Sequence, residues 1–205
     1  MTRTTLPIAL LALTLSLTGA IALTPTSHAA ASSVDTTRWQ LNFSAGSLRM
    51  HVDDLTGQAY WYFTYEVVNR TGQDRFWAPR MTLFTDTGKI VQSGQDVPSR
   101  VERDLIRLIN NPYMVSQNQA IGQIRQGQEN AIDSIAIWPV DSVEVTELTI
   151  FIAGVSSETS EIQHPITGQS IIEQRTIRRD YIVPGDAGAR GSRPVELVNQ
   201  EWIMR

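Results

Sequence analysis

The chain has no cysteine among its 205 residues. That excludes disulfides, a thiolate metal site, a cysteine nucleophile and a lipid-tethered cysteine, so the fold must be stabilised by its apolar core alone. Histidine is nearly as scarce, with only His51 and His164 past residue 30. A transition-metal site gathers several imidazole or carboxylate ligands at helical or loop spacing; "HVDD" at 51–54 does not, and His51 reads as a strand-end histidine. Clustered basic charge is missing too. Seventeen Lys and Arg face 21 Asp and Glu, a formal net charge of −4, which gives no reason to bind nucleic acid through its phosphates. No glycine-rich phosphate loop follows a strand, no calcium-loop pattern occurs, and "AGVSSE" around Ser156 lacks the second glycine of a nucleophile elbow. These absences leave no catalytic, cofactor-binding or metal-binding residue and no cofactor to assign. The expectation is a protein that is not an enzyme.

Long apolar runs are confined to the beginning. Arg3 stands in a short basic head, an apolar stretch runs from Leu6 to Leu23, and small residues surround Ala29. This is the pattern of a secretory signal peptide over residues 1–30. The stretch is short for a membrane span, Pro7 and Gly19 interrupt it, and Ser27-His28-Ala29 resembles a cleavage site. The expected protein is exported, periplasmic or extracellular, with no membrane span after cleavage. Losing Arg3 leaves 16 basic against 21 acidic residues, a net charge of about −5. Export without cysteine points to a bacterial envelope or exterior, where the sequons at Asn42 and Asn69 are coincidental. Residues 31–205 suffice for one ordinary core and are read as a single domain.

What the chain does have is alternation with period two, the mark of strands. In "YWYFTYEVV", Trp61, Phe63, Tyr65 and Val67 share one face, the expected core side, while Tyr60, Tyr62, Thr64 and Glu66 share the other. Leu148, Ile150 and Ile152 line one side of a second clear strand, with Glu147 and Thr149 opposite. Further strands are expected at Trp39–Phe43, Leu48–Val52, Arg80–Thr85, Lys89–Gln92, Ile121–Arg125, Ile132–Trp138, Ile171–Val183 and Val195–Met204. Many short strands joined by turns imply an all-β antiparallel sandwich. One helix interrupts them, over about 99–110. Ser99 and Glu102 have capping-box spacing, Val101, Leu105, Leu108 and Ile109 make an apolar stripe, and Asn111-Pro112 stops it. Arg100, Arg103 and Arg107, interspersed with Glu102 and Asp104, read as a solvated face. "GDAGARGSRP", residues 185–194, has no periodicity and reads as a mobile loop.

Asp86-Thr87-Gly88 after an apolar approach is how an aspartic-protease loop begins. Such an enzyme needs two carboxylates sharing a proton, so a second Asp86 from a homodimer would be required. Lys89 would then put a cation beside the dyad and oppose the shared proton. The same punctuation recurs in "LTGQ", "RTGQ", "DTGK" and "ITGQ", always where apolar runs break. Glycine third in such a tetrapeptide supplies the positive φ of a tight reversal, so the motif reads as a hairpin turn between Arg80–Thr85 and Lys89–Gln92.

The five tryptophans raise one binding question. Trp39, Trp61, Trp77, Trp138 and Trp202, with Tyr60 and Tyr62, are enough aromatics for a sugar-stacking platform. Trp61, Trp138 and Trp202 are expected to fill the space between two sheets. Tyr60, Tyr62 and Trp77, on the opposite face or in the loop after it, remain as a candidate recognition surface.

The run "YWYFTYEVVNRTGQDRFWAPRMTLFTDTGKIV" resembles small secreted bacterial immunoglobulin-like domains of uncharacterised families, with a weaker echo in "AIWP" and "LTIFIAGVSSET". The resemblance covers roughly residues 60–92 and implies an immunoglobulin-like sandwich in the envelope, with no site attached. The helix and the long tail after Ala153 depart from a minimal domain of that kind. The functional expectation is a non-enzymatic exported protein that binds another envelope or extracellular protein or has a structural role. A carbohydrate-binding module and a dimeric aspartic protease using Asp86 are the alternatives.

Overall fold

The structure, a computed structural model, describes residues 38–205. The signal-peptide expectation for residues 1–30 lies outside the described residues. The strands in chain order are β1 (Asn42–Ala45), β2 (Arg49–Val52), β3 (Ala59–Val68), β4 (Arg75–Trp77), β5 (Arg80–Thr85) and β6 (Ile90–Gln92). After helix α1 (Ser99–Ile109) come β7 (Met114–Val115), the single turn α2 (Gln117–Ala120), β8 (Gly122–Ile124), β9 (Ile132–Pro139) and β10 (Glu147–Ala153). The chain ends in β11 (Thr159–Gln163), β12 (Ser170–Ile182) and β13 (Glu196–Met204).

These strands form a β-sandwich. In the first sheet β1 and β2 pair successive halves of β3, β3 pairs β9, and β7 adds in parallel. The second runs β6-β5-β10-β12, with β11 and β13 along the two halves of β12. Among the described residues every pairing of these strands is antiparallel except that of β7 with β9, and β13 lies beyond β12 at the margin of its sheet. Residues 40–41 tie the sheets together, since Gln40 bridges Ser156 and Leu41 N–H donates to Val155 O at 2.8 Å. β4 and β8 form a separate two-stranded ribbon. Every strand expected from alternation is present to within a few residues. β4, β7 and β11 were not expected: β4 and β7 are too short to show a period, and β11, TSEIQ, is polar except for Ile162.

The core follows from the pleat. Trp61, Phe63, Tyr65 and Val67 point between the sheets, where they meet Leu83, Leu148, Ile150 and Ile152. Trp138 joins them, its ring 5.4 Å from that of Phe63, and its Nε1–H donates across to Met81 O at 3.3 Å. Trp202 does not fill that space as expected. β13 lies at the margin, so the ring is only half buried, beneath the Arg175 guanidinium 4.7 Å away.

α1 covers the outer face of the first sheet and adds a third layer, with Val101 and Leu105 against Tyr60, Tyr62, Ile135 and Ile137. Complete burial of Leu105 contributes about 2 kcal/mol. Leu108, expected in the same stripe, is exposed because the contact face in the last turn runs through Ile106 and Ile109 instead. The capping box at Ser99 does not form. Pro98 is the N-cap, already extended at φ −61° and ψ 135°, and the Glu102 carboxylate instead accepts from Gln117 N–H at 2.7 Å. Asn110, in the left-handed region at φ 55°, closes the other end as the Asn111-Pro112 stop requires. Within residues 185–194 a 3-10 turn spans Gly188–Arg190, Ala187 is buried, and just beyond it Val195 N–H donates to Leu48 O at 2.7 Å.

Candidate functional site

The expected recognition surface is not a surface. Tyr60 and Tyr62 are 3% and 6% exposed, and Trp77 is fully buried. Alternation placed the tyrosines on the outer face correctly, but α1 packs on that face and encloses them. Trp77 turns inward from β4, with ring centroids 6.1 Å from both Phe43 and Tyr65. No sugar can stack on these three rings in this conformation, so the observation that motivated a carbohydrate platform is gone.

Asp86 lies at the tip of the β5-β6 hairpin, as the turn reading requires. Gly88 has φ +87°, Thr85 N–H donates to Lys89 O at 3.0 Å, and Gly57, Gly72 and Gly168 of the other three tetrapeptides also have positive φ. The Asp86 carboxylate accepts from Thr146 Oγ1 at 2.5 Å, from Thr146 N–H at 3.0 Å and from Glu147 N–H at 3.2 Å. Those bonds, the Thr146 hydroxyl first, hold its pKa below the usual carboxylate range, the opposite of what a proton-sharing dyad needs. Lys89 pairs with Asp141 at 3.3 Å rather than with Asp86. Asp86 fastens the hairpin to the start of β10.

The other singled-out polar residues also have structural partners. His164 Nδ1 accepts from Ile166 and Thr167 N–H inside its own turn, and buried Ser156 accepts from Glu158 N–H at 3.1 Å. Among the described residues no three His, Cys, Asp or Glu side chains gather as a metal site would require. "HVDD" holds a different device. Arg100 grips Asp53 with both terminal nitrogens, Nη1 to Oδ1 at 2.8 Å and Nη2 to Oδ2 at 2.6 Å. Thr56 Oγ1 donates to the same carboxylate at 2.5 Å. The pair pins α1 to the β2-β3 turn, so Arg100 leaves the solvated face assigned to it, while Arg103 and Arg107 stay there. Spacing along the helix could not reveal this, because the partner is 47 residues away.

Hydrogen bonds from Arg100 and Thr56 hold the Asp53 carboxyl well below its ordinary pKa. The unfolded value is about 3.9. A depressed folded pKa means that the pair's contribution is complete above the unfolded value and is lost progressively as pH falls below it towards the folded pKa. Thermal melts should therefore show a decline that begins below about pH 5 and continues beneath about pH 3, and that Asp53→Asn flattens. The near-ultraviolet signal of Tyr60 and Tyr62 should weaken at the same pH, because undocking α1 exposes both rings.

A cleft of about 350 Å³ opens where α1, α2 and the β5-β6 pair meet, with Arg80, Glu102, Gln92 and Gln117 around it. It is internally satisfied: Ser93 bonds Gln117, and Ser93 Oγ accepts from Ile137 N–H at 3.1 Å. The cleft has one carboxylate and one guanidinium but no histidine, so it can hold a polar group without presenting an acid-base pair.

Besides the buried Trp77 Nε1 and Arg190 Nε, which have no hydrogen-bond partner among the described residues, two regions are left incompletely satisfied. One is the two-stranded ribbon formed by β11 and the first half of β12, which extends past the third strand on either side. It exposes Ile162 and Ile171, which face each other, together with Ile172 at 73% and Ile166 at 88%. The other lies under the margin of the sandwich. Arg179, 5% exposed, points inward from β12 between Ile177 and Tyr181, its Nε–H has no partner, and neither does the Tyr181 hydroxyl. Burial pushes that phenol up to about 12 and disfavours the charged guanidinium. Alternation through Ile177, Arg179, Tyr181 and Val183 placed Arg179 on the core side, and that was the signal for it in the sequence. No protein-family model, curated protein or solved structure matches this chain.

Proposed function

We propose that this is an exported, non-enzymatic immunoglobulin-like module that binds another protein of the cell envelope or exterior. The ribbon of β11 and β12 carries this reading. A two-stranded hairpin is marginal in water by itself, and isoleucines on both of its faces gain nothing from solvent. Contact with a partner would bury them and rigidify the ribbon. Polar residues elsewhere support the same reading, since Asp53, Asp86 and Glu102 are all engaged in holding elements together. Export adds the expectation that the natural protein lacks about thirty N-terminal residues, checked by its intact mass.

The test is a photo-crosslinking side chain at Ile172, irradiated in an envelope fraction. A discrete adduct is expected, absent when the probe is at exposed Arg103 and reduced by Ile162→Asn. A featureless adduct pattern identical at both positions would overturn the reading.

A further inference from the structure

Building on that protein-binding reading, we propose that the free edge of β1 receives an extended peptide from the partner as an added strand, with a carboxylate of that peptide seated on Arg179. The backbone pattern defines the edge. Gly46 N–H donates to Thr64 O at 2.7 Å, so the alternate residues Ser44 and Asn42 also turn their backbone groups towards β3. Leu41, Phe43 and Ala45 turn theirs away. Leu41 is used by Val155, whereas Phe43 and Ala45 exchange no backbone hydrogen bond on that side among the described residues. A groove of about 450 Å³ follows the edge, and five successive residues, 40–44, line it. Successive side chains alternate between faces, so an uninterrupted run means the groove follows the edge itself. Its walls are polar on one side, with Glu66 and Arg70, and largely apolar on the other, with Ile177 and Trp202. A strand laid there gains backbone hydrogen bonds from Phe43 and Ala45 and apolar contact from Ile177 and Trp202.

Arg179 specifies the charge of the occupant. Among the described residues no carboxylate lies within ion-pair distance of it, and its hydrogen bonding is one long contact, Nη1 to Gly46 O at 3.4 Å. The rings of Phe63 and Tyr181, 5.7 and 5.5 Å from the guanidinium carbon, are its other neighbours. Two donors without acceptors, Arg179 Nε–H and Tyr181 O–H, therefore lie side by side between the sheets. Buried donors are almost always satisfied, and a guanidinium is best satisfied by a carboxylate. Arg179 and Tyr181 lie behind the groove wall rather than in its lining, and neighbours connect them to it. Ile177, two residues earlier, and Gln200, directly across from Arg179 on β13, both line the groove, and Gly46, whose carbonyl Arg179 reaches, continues β1 from its end. An acidic side chain on the added strand, or its terminal carboxylate, meets Arg179 as the strand passes Gly46.

The test is a selection of displayed random dodecapeptides on the protein, followed by affinity and hydrogen-exchange measurements on the enriched sequences. Expected are β-forming peptides with an acidic group, which protect the amides of Phe43 and Ala45. Arg179→Met should weaken them about tenfold or more. Ala45→Pro removes only an outward N–H, so it should abolish binding while the fold persists. Enriched peptides remade as C-terminal amides separate the two carboxylate sources: binding that survives points to the side chain, binding lost to the terminus. The proposal is overturned if no peptide is enriched, if Arg179→Met binds as well as wild type, or if Phe43 and Ala45 are already protected in the free protein. Protection confined to the β11-β12 ribbon would also overturn it while leaving the protein-binding function standing.

Discussion

Trp138→Ala is expected to cost about 3–5 kcal/mol, a large share of the 5–15 kcal/mol that such a domain has in total. The magnitude follows from three losses at one position. The ring is fully buried, it packs on Phe63 at 5.4 Å, and its Nε1–H is a hydrogen bond from one sheet to the other, accepted by Met81 O. Alanine leaves a cavity between the sheets and removes one of the two donors to Met81 O, which keeps the Ser93 N–H at 2.8 Å, and with no disulfide in the chain nothing covalent limits the damage. Urea unfolding checks the value. Trp138→Phe keeps most of the volume and should lose about 1–2 kcal/mol, chiefly the bond to Met81. If both variants lost less than half these amounts, the two sheets would not share one cooperative core.

Arg179→Met is expected to act in the opposite direction, raising stability by about 1–4 kcal/mol. A guanidinium between two sheets gives up hydration for one long hydrogen bond and two ring faces, and methionine of similar length would make those contacts without that cost. A higher urea midpoint with an unchanged slope would show the effect on the folded state alone. Severe destabilisation would mean that the guanidinium is well satisfied in the folded chain, and the carboxylate proposal would lose its basis. Tyr181→Phe should likewise be neutral or mildly stabilising, because it removes a hydroxyl without an acceptor. Residues that weaken a fold yet stay buried are where function is most profitably sought.

Local order was legible in the sequence because it depends on neighbours a few residues apart. The pleat assigned Trp61, Phe63 and Tyr65 to the core, glycine marked the four turns, and the 3.6-residue stripe found α1 from Ser99 to Ile109. What the outer face of β3 touches depends instead on where a helix some forty residues later comes to rest. Tyr60 and Tyr62 therefore looked like a surface and are a second core, and Arg100 looked solvated and holds Asp53. The composition by itself determined that neither disulfides nor thiolates stabilise this protein and that alternating apolar residues must pair into sheets. Only the tertiary structure decided which edges stay open and which charge is stranded between them, since both depend on contacts between residues more than a hundred positions apart, as between Gly46 and Arg179.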